Sequence, residues 1–546
     1  MIETLRVKGF RILRDFEWNV QAGVNILVGA NSAGKSTVLE AIELVTRGNL
    51  NGVRAANALA PDWFNVEVVA EFFIKLQSGQ TPEIPEILIT AVFADAPSAA
   101  TICGCNGPKG AEDDAPGLFI RFFVPQELTT EFLSEAAAIA RTAAKKTLPV
   151  EYYECEWKSF KGERLVRRPA CVVSTRIDTR PEPYSRAVDS YARNLVESEL
   201  TDQQLREVAR KIREAHAKID DEILSTVPVK ETGNGKSLGL QLDKSPRSDW
   251  KNAIVLEQEG LPFSTLGSAD QILTKCGIAI QKSAVESIIL MEEPECHLSH
   301  TSLRELLALI GESLGEEQQA FVTTHSPYVL NRLGLDKMSV MAAGSSPASI
   351  SKLSPETTRY FKKLSGYDTL RIVLARKIVM VEGPTDEMVF DWAFRKERGC
   401  LPEDKGIDVI EYGIRYKRAF ELAATIGKDS VIALRDNDHK GEALWLETVE
   451  QFESSGYELL VGHDGEGHTI EPQIVKANLN NLEVLAAAVG SKAVGEADLT
   501  EYLLNHKVEW SLNLLEADRS VTDQLQAPRY ILEAIELIDP LTFGGE

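Results

Sequence analysis

Gly29-Ala30-Asn31-Ser32-Ala33-Gly34-Lys35-Ser36-Thr37 decides the fold of the N-terminal half. The stretch follows a short apolar strand, Asn25 to Val28, and opens a helix through Val38, Leu39, Ile42 and Val45 at helical spacing. Strand, glycine-rich turn and helix start in that order make a phosphate cradle. Glycines let successive backbone N–H groups approach an anion, and the helix N-terminus adds partial positive charge. Lys35 is expected to reach the terminal phosphates and Ser36 to hold a Mg²⁺ ion. Asn31, Ala33, Gly34 and Thr37 complete the loop.

A phosphate loop that hydrolyses its nucleotide needs a carboxylate at the end of a buried strand. Ser287 to Met291 is such a strand, and Glu292-Glu293-Pro294-Glu295 follows it. Glu292 is expected in the shell of the Mg²⁺ ion, and Glu293 is expected to polarise the attacking water. A helix-length stretch, Leu303 to Leu314, leads to a second apolar strand, Ala320 to Thr324. His325 follows in a Thr-Thr-His-Ser-Pro turn, in position to sense the terminal phosphate. Strand–helix–strand spacing of this kind argues for a mixed or parallel sheet.

A second α/β unit begins near Ile378. Val379-Met380-Val381-Glu382-Gly383-Pro384-Thr385-Asp386 puts one acid at a strand end and a second at a helix start. About fifty residues on, the strand Val431 to Leu434 runs into Asp436-Asn437-Asp438. On an extended segment both carboxylates of D-x-D point to one side. Such a cluster is costly unless a hard cation neutralises it. Two ions roughly 4 Å apart would activate water and stabilise the leaving oxygen of a phosphodiester.

The remaining segments are read more coarsely. Ile2 to Val7 alternates as a strand, and Phe72 to Ile74 and Ile87 to Phe93 are expected to be further strands. Cys103 to Pro116 is expected to be a surface loop, Leu195 to Ile223 a charged helix with one apolar stripe, and Gly344 to Pro355 a linker. Cys103, Cys105, Cys155 and Cys171 lack the paired spacing of a zinc site. Lys158, Lys161, Arg164, Arg167 and Arg168 form a basic run, and Arg415, Lys417 and Arg418 lie between the two acidic motifs, where contact with a nucleic-acid strand is expected.

The chain has 546 residues, 44% of them hydrophobic and 26% charged, an ordinary globular composition. No apolar run approaches the ~18–20 residues of a membrane helix. Seven cysteines do not suggest a disulfide framework, and a cytoplasmic setting without membrane association is expected. With 59 Lys and Arg against 82 Asp and Glu, the net charge is −23, which argues against a protein that coats nucleic acid non-specifically. It is compatible with an enzyme that gathers its acids around metal ions.

Leu266-Gly267-Ser268-Ala269-Asp270-Gln271 resembles the signature loop of ABC-type ATPases, with Ser268 capping ATP held by a second subunit. The order of phosphate loop, signature, Glu-Glu-Pro-Glu and Thr-His-Ser resembles the heads of the SMC, RecF and OLD (overcoming lysogenization defect) group. That resemblance implies dimerisation. The pair Glu382…Asp386 and Asp436-Asn437-Asp438 resembles the Toprim fold of topoisomerases, primases and OLD nucleases. Thr469-Ile470-Glu471 resembles the later acidic motif of OLD nucleases, and Lys507 their catalytic lysine. Ala527 to Ile535 resembles the helix that follows.

The implied architecture is α/β throughout: an ABC-type P-loop ATPase head over residues 1–350 with a helical dimerisation insert at about 185–245, a linker at 351–372, and a Toprim domain at 373–546. The implied activity is ATP-regulated, Mg²⁺-dependent cutting of DNA, with Mn²⁺ or Ca²⁺ as further candidates at the Toprim site. Glu382, Asp386, Asp436, Asp438 and Glu471 would bind the ions and Lys507 would steady charge on the phosphate, with no covalent intermediate. The family also implies anti-phage defence, alone or with a helicase or a reverse transcriptase and its non-coding RNA or DNA. The alternatives are a RecF- or SMC-like ATPase sensor or scaffold with a non-catalytic Toprim domain, and a Toprim acting on RNA or in primer synthesis.

Overall fold

The computed structural model describes residues 1–108, 114–142, 145–177, 200–227, 240–242, 254–281, 287–296, 298–314, 318–349, 353–363, 366–411, 415–428 and 430–540. Contacts divide the chain into two compact units. One comprises Ala170–Ala320 together with Met1, and the other Ile2–Pro169 and Phe321–Glu546. Each is described by itself.

The larger unit begins with an antiparallel sheet. Ile2–Phe10 lies between Leu13–Asn19 and Ile87–Phe93, and Ala115–Phe123 continues the sheet beyond Ile87–Phe93. Glu154–Ser159 and Cys103–Gly104 both pair with Ala115–Phe123. The loop expected over Cys103 to Pro116 therefore has strand residues at both ends. The strand Gly23–Gly29 pairs in parallel with Met338–Met341, which pairs antiparallel with Ala348–Ser349. The helix Lys35–Arg47 buries nearly all its side chains, and Trp157 clamps its end by donating from Nε1 to the Val45 carbonyl at 2.8 Å.

Phe72 to Ile74, expected as a strand, lies inside a helix, Val66–Gln77. Asn65 fixes the start, its side-chain oxygen accepting from the N–H groups of Glu67 and Val68 at 3.1 and 3.2 Å. Phe72 and Phe73 are its buried residues. Three adjacent apolar residues fit a strand equally well, and the cap about two turns upstream settles the choice.

In the Ala170–Ala320 unit, Val173–Ile177 pairs in parallel with Ser287–Glu292. The helices Ser268–Gln281 and His300–Ser313 pack together beside that pair. The charged helix is Asp202–Glu222, closed at its start by a Thr201–Gln204 capping box, with no residue buried. The rest of the expected insert, 185–199, 228–239 and 243–245, lies outside the described residues.

The segment 351–372, expected as a linker, carries the helix Pro355–Lys363 and most of a second, Gly366–Leu374. Beyond it stands a four-stranded sheet, all parallel, in the order Ile407–Glu411, Lys377–Val381, Val431–Arg435, Tyr457–Val461. Parallel strands need both faces covered. The helices Pro384–Arg398 and Arg529–Ile538 cover one face, where Phe390, Trp392, Trp510, Tyr530 and Ile531 join Val379, Val381, Ile432 and Leu434 in one buried cluster, and the helices Gly366–Leu374 and Tyr416–Ile426 also pack against strands of the sheet. Two adjacent central strands, Lys377–Val381 and Val431–Arg435, end side by side, which brings their following loops together.

Candidate functional site

The phosphate loop depends on two glycines for its shape. A Cβ at Gly29 would lie 2.4 Å from the Met341 carbonyl oxygen, and Gly34 holds φ at +105° with Ile12 beside it. Lys35 is buried, and its ammonium donates to the carbonyls of Gly29 and Ala30 at 3.0 and 3.2 Å. Its third contact is His325 Nε2 at 2.6 Å. An ammonium only donates, so Nε2 is the acceptor and the ring proton sits on Nδ1. Two residues 290 positions apart thus meet at the loop. Thr324 fixes the approach, donating from its N–H to the Leu27 carbonyl at 3.3 Å, and Ser326 caps the helix Pro327–Leu333. Ala33 and Thr37 are buried, and Asn31 is exposed.

Glu292, Glu293 and Ser268 belong to the Ala170–Ala320 unit. Glu292 is the last residue of its strand, and its Oε2 accepts from Arg176 Nη2 at 2.8 Å. Glu293 has φ at +41°, in the left-handed region, so its backbone turns sharply off the strand end. Its Oε2 accepts from the Cys296 thiol at 3.4 Å, and burial with this contact pushes that thiol up to about 11. Ser268 is the first residue of its helix, where backbone N–H groups are free of intrahelical partners. Arg176 was not marked by sequence reasoning, since nothing in a strand pattern tells which neighbour crosses to an acid.

The second site stands at the carboxyl ends of the two central parallel strands. Glu382 follows Val381, and Asp386 sits in the first turn of the helix Pro384–Arg398. Asp436 follows Arg435 and is buried, whereas Asp438 is exposed with φ at +50°. Glu471 lies in the first turn of the helix Ile470–Ala477, its side chain 2% exposed. These acids bear on one another. Burial, then the charges of Glu382 and Glu471, raise Asp386 to about 7. Burial, then Asp386, Glu382, Glu471 and Asp438, raise Asp436 to about 8. Glu382 is raised chiefly by burial, against the opposing pull of Arg435. The Tyr530 hydroxyl, fully buried, is raised by burial and then by Asp436, Asp386, Glu382 and Glu471.

Lys507 begins a helix, Lys507–Glu516, and its Nζ lies 3.9 Å from Glu471 Oε1. A residue that sequence reasoning passed over completes the cluster. Arg435 Nη2 donates to Asp438 Oδ2 at 2.6 Å and lies 3.2 Å from Glu382 Oε1. The available signal is a charged residue closing a buried apolar strand, Val431-Ile432-Ala433-Leu434. Asn437, also read only as the middle of the triplet, is wholly buried. Its amide donates to the carbonyls of Gly462 and Gly467, and its carbonyl oxygen accepts from the His439 N–H and contacts His468 Nδ1 at 2.8 Å.

Two carboxylate oxygens of the cluster, Asp436 Oδ1 and Glu471 Oε2, are buried without a hydrogen-bond partner, and Glu382 Oε1, also buried, is met by the Arg435 guanidinium as an ion pair. Unsatisfied buried anionic oxygens converging on one space fit a hard cation. Yet among the described residues no three His, Cys, Asp or Glu side chains are drawn to ligand distance of a common point. Glu382, Asp386, Asp436, Asp438 and Glu471 are brought to one site but not gathered into a coordination shell. Mutual repulsion and the pull of Arg435 on Glu382 and Asp438 account for the spread.

Outside the two sites, Arg415 and Arg418 set their guanidinium groups over the Tyr360 ring at 4.6 and 4.8 Å. Lys158 and Lys161 of the basic run pair with Glu156 and Glu163 on their own hairpin. No helix among the described residues is long and apolar enough to cross a membrane.

Comparison with known proteins finds three matching segments of the chain. Residues 1–147 match the model of an AAA ATPase domain, and residues 246–331 that of an AAA domain described as putative AbiEii toxin, type IV TA system. Residues 373–438 match the Toprim domain of overcoming lysogenization defect protein-like proteins. A DNA replication and repair protein RecF of Thioalkalivibrio sulfidiphilus is 42% identical over 71 residues, 13% of this chain and a fifth (20%) of the relative. The SMC head domain from Thermotoga maritima is similar over 64% of this chain and 98% of its own, at 11% identity and a TM-score of 0.28. The C-terminal region of the Burkholderia pseudomallei OLD protein is similar over 30% of this chain and 97% of its own, at 21% identity and a TM-score of 0.23.

Proposed function

We propose that this chain, which joins ATPase segments to an OLD-like Toprim domain, is an ATP-binding, divalent-metal-dependent DNA endonuclease. The observation that carries the reading is the pair of partnerless buried oxygens on Asp436 and Glu471, beside Glu382 at the carboxyl end of its parallel strand. Carboxylates held up at about 7 and 8 by burial and then by their neighbours are not a stabilising arrangement by themselves, and a cation would make them one. Glu382, Asp386, Asp436, Asp438 and Glu471 hold the ions, Mg²⁺ by preference and Mn²⁺ as a substitute. Bound there, they supply a water-derived nucleophile and charge neutralisation at the phosphodiester.

The protein's own groups do the rest. Lys507, exposed on one side and near Glu471 on the other, meets the charge that builds on the phosphate. Asn437 holds the loop that carries Asp436 and Asp438. Arg415 and Lys417, both exposed, track the strand backbone. In the N-terminal half, the Lys35 ammonium would leave the loop carbonyls for ATP phosphates, with Ser36 on the accompanying Mg²⁺ and His325 at the terminal phosphate, and Glu292 and Glu293 are the candidate carboxylates for ion and water. Ser268 of a second copy caps that ATP, so the working form is a homodimer of ABC-type heads that regulates or positions the nuclease. A role in anti-phage defence follows from the same reading, in the cytoplasm and with or without a partner protein.

Conversion of supercoiled plasmid with Mg²⁺ or Mn²⁺ tests this. The wild type is expected to nick or linearise, Asp436→Ala to be inactive, and Lys35→Ala to cut without nucleotide control. One observation favours the scaffold alternative: Arg435 already neutralises part of the cluster. If no metal supports cutting by the wild type while ATP is turned over, that alternative replaces the nuclease reading.

A further inference from the structure

We propose that Arg435 is a built-in counter-cation of the carboxylate cluster, and that a divalent ion binding there displaces its guanidinium from Glu382 and Asp438. The inference rests on the nuclease reading above for the identity of the ion. It concerns what the protein does before the ion arrives.

The side chain of Arg435 is 1% exposed. A buried guanidinium persists only where its charge and its donors are met. Here Nη2 meets two acids of the cluster, Asp438 at 2.6 Å and Glu382 at 3.2 Å, and Nε donates to the Asp436 carbonyl at 2.9 Å. The planar face lies 3.4 Å from the centroid of the Trp445 ring, with Tyr416 farther off at 5.8 Å. Nη1 is buried with no hydrogen-bond partner. The guanidinium is therefore held by the acids and the indole, while one of its nitrogens gains nothing from its present position.

A divalent ion needs the oxygens that Arg435 now engages. Two cations cannot share Glu382 and Asp438 at contact distance without strong repulsion in a buried site. The ion carries the larger charge on a compact centre, so the guanidinium yields. Trp445 stays, because its Nε1 donates to the Asn437 carbonyl at 3.0 Å and Asn437 is itself tied to Gly462 and Gly467. The indole thus reports the departure of the arginine from a fixed point. The arrangement also accounts for the acids falling short of a coordination shell among the described residues.

The test uses the full-length, nucleotide-free protein and Mg²⁺ alone. Calorimetry gives the affinity, and the emission of Trp445, taken as wild type minus Trp445→Phe, follows the arginine. The expected result is an emission change with the calorimetric midpoint. Arg435→Gln is expected to bind Mg²⁺ roughly tenfold tighter, the equivalent of one charge-assisted hydrogen bond no longer broken. Arg435→Lys keeps the charge but cannot span two carboxylates, and is expected to bind severalfold tighter than wild type. Binding with silent Trp445 emission overturns the inference and leaves the nuclease reading standing. Absence of Mg²⁺ or Mn²⁺ binding overturns both. If the Arg435 variants do not fold, the wild-type emission titration decides alone.

Discussion

Lys507 Nζ lies 3.9 Å from Glu471 Oε1, although the lysine side chain is 59% exposed and the glutamate 2%. The pair spans the boundary between the buried cluster and solvent. A cation so exposed contributes little to stability, because water screens it. Its use is in what approaches from outside. Lys507→Met is expected to leave the folding free energy within about 0.5 kcal/mol of wild type. Cleavage is expected to fall roughly 100- to 1,000-fold, the usual loss of one preorganised charge donor at a transition state. Chemical denaturation and plasmid conversion on one preparation check this. An unstable variant, or one with full activity, refutes the assignment.

Asn437 behaves in the opposite way. It is 0% exposed, and its amide joins the Asp436–His439 loop to Gly462, Gly467 and His468. Asn437→Ala removes those bonds and leaves buried carbonyls without donors. A destabilisation of about 2–4 kcal/mol is expected, with loss of cutting even at temperatures where the variant is folded. Equilibrium unfolding in urea measures the first, and plasmid conversion below the transition the second.

The pH dependence of the ion-free protein follows from the cluster. Asp436 is near its ordinary 3.8 when unfolded and about 8 when folded, raised by burial and then by Asp386, Glu382, Glu471 and Asp438. The folded state therefore binds more protons between these values, and stability falls as pH rises through the window. Asp386, at about 7, adds in the same direction, and the two titrate as a pair. The melting temperature without metal is expected to drop steadily from pH 5 to pH 8 and then level off. Asp436→Asn flattens the slope, and so does saturating Mg²⁺. A metal-free profile that rises across this range contradicts the cluster as described.

Much of this was legible because it is local in the chain. The phosphate loop, the strand before Glu292 and the two acidic strand ends are each a short run whose spacing carries its own geometry. Glu471 and Lys507 were reached through family resemblance, since no local pattern ties them to Asp436. Arg435 was passed over for a physical reason. At the end of an apolar strand it reads as the residue leaving the core, whereas in the fold it turns back under Trp445. Phe72 to Ile74 failed because three apolar residues have no period, and only Asn65, outside the run, specifies the helix. Within 351–372, Pro355 and the residues after it start a helix, Pro355–Lys363, that a composition-based linker reading does not weigh.

The contact between Lys35 and His325 separates nucleotide binding from turnover. Lys35 contacts two carbonyls and His325 Nε2, the last at 2.6 Å. On the proposed reading ATP draws the ammonium away from them, so Lys35→Ala is expected to abolish binding of a fluorescent ATP analogue. His325→Ala takes away one partner of the lysine and leaves the Gly29 and Ala30 carbonyls in place. Affinity is expected to stay within a few-fold of wild type, while phosphate release falls roughly 100-fold, as for loss of a group that meets charge developing in the transition state. Binding lost in both variants makes His325 part of the cradle. Turnover retained in His325→Ala makes it a structural partner of Lys35. Only the expected split assigns it to the terminal phosphate.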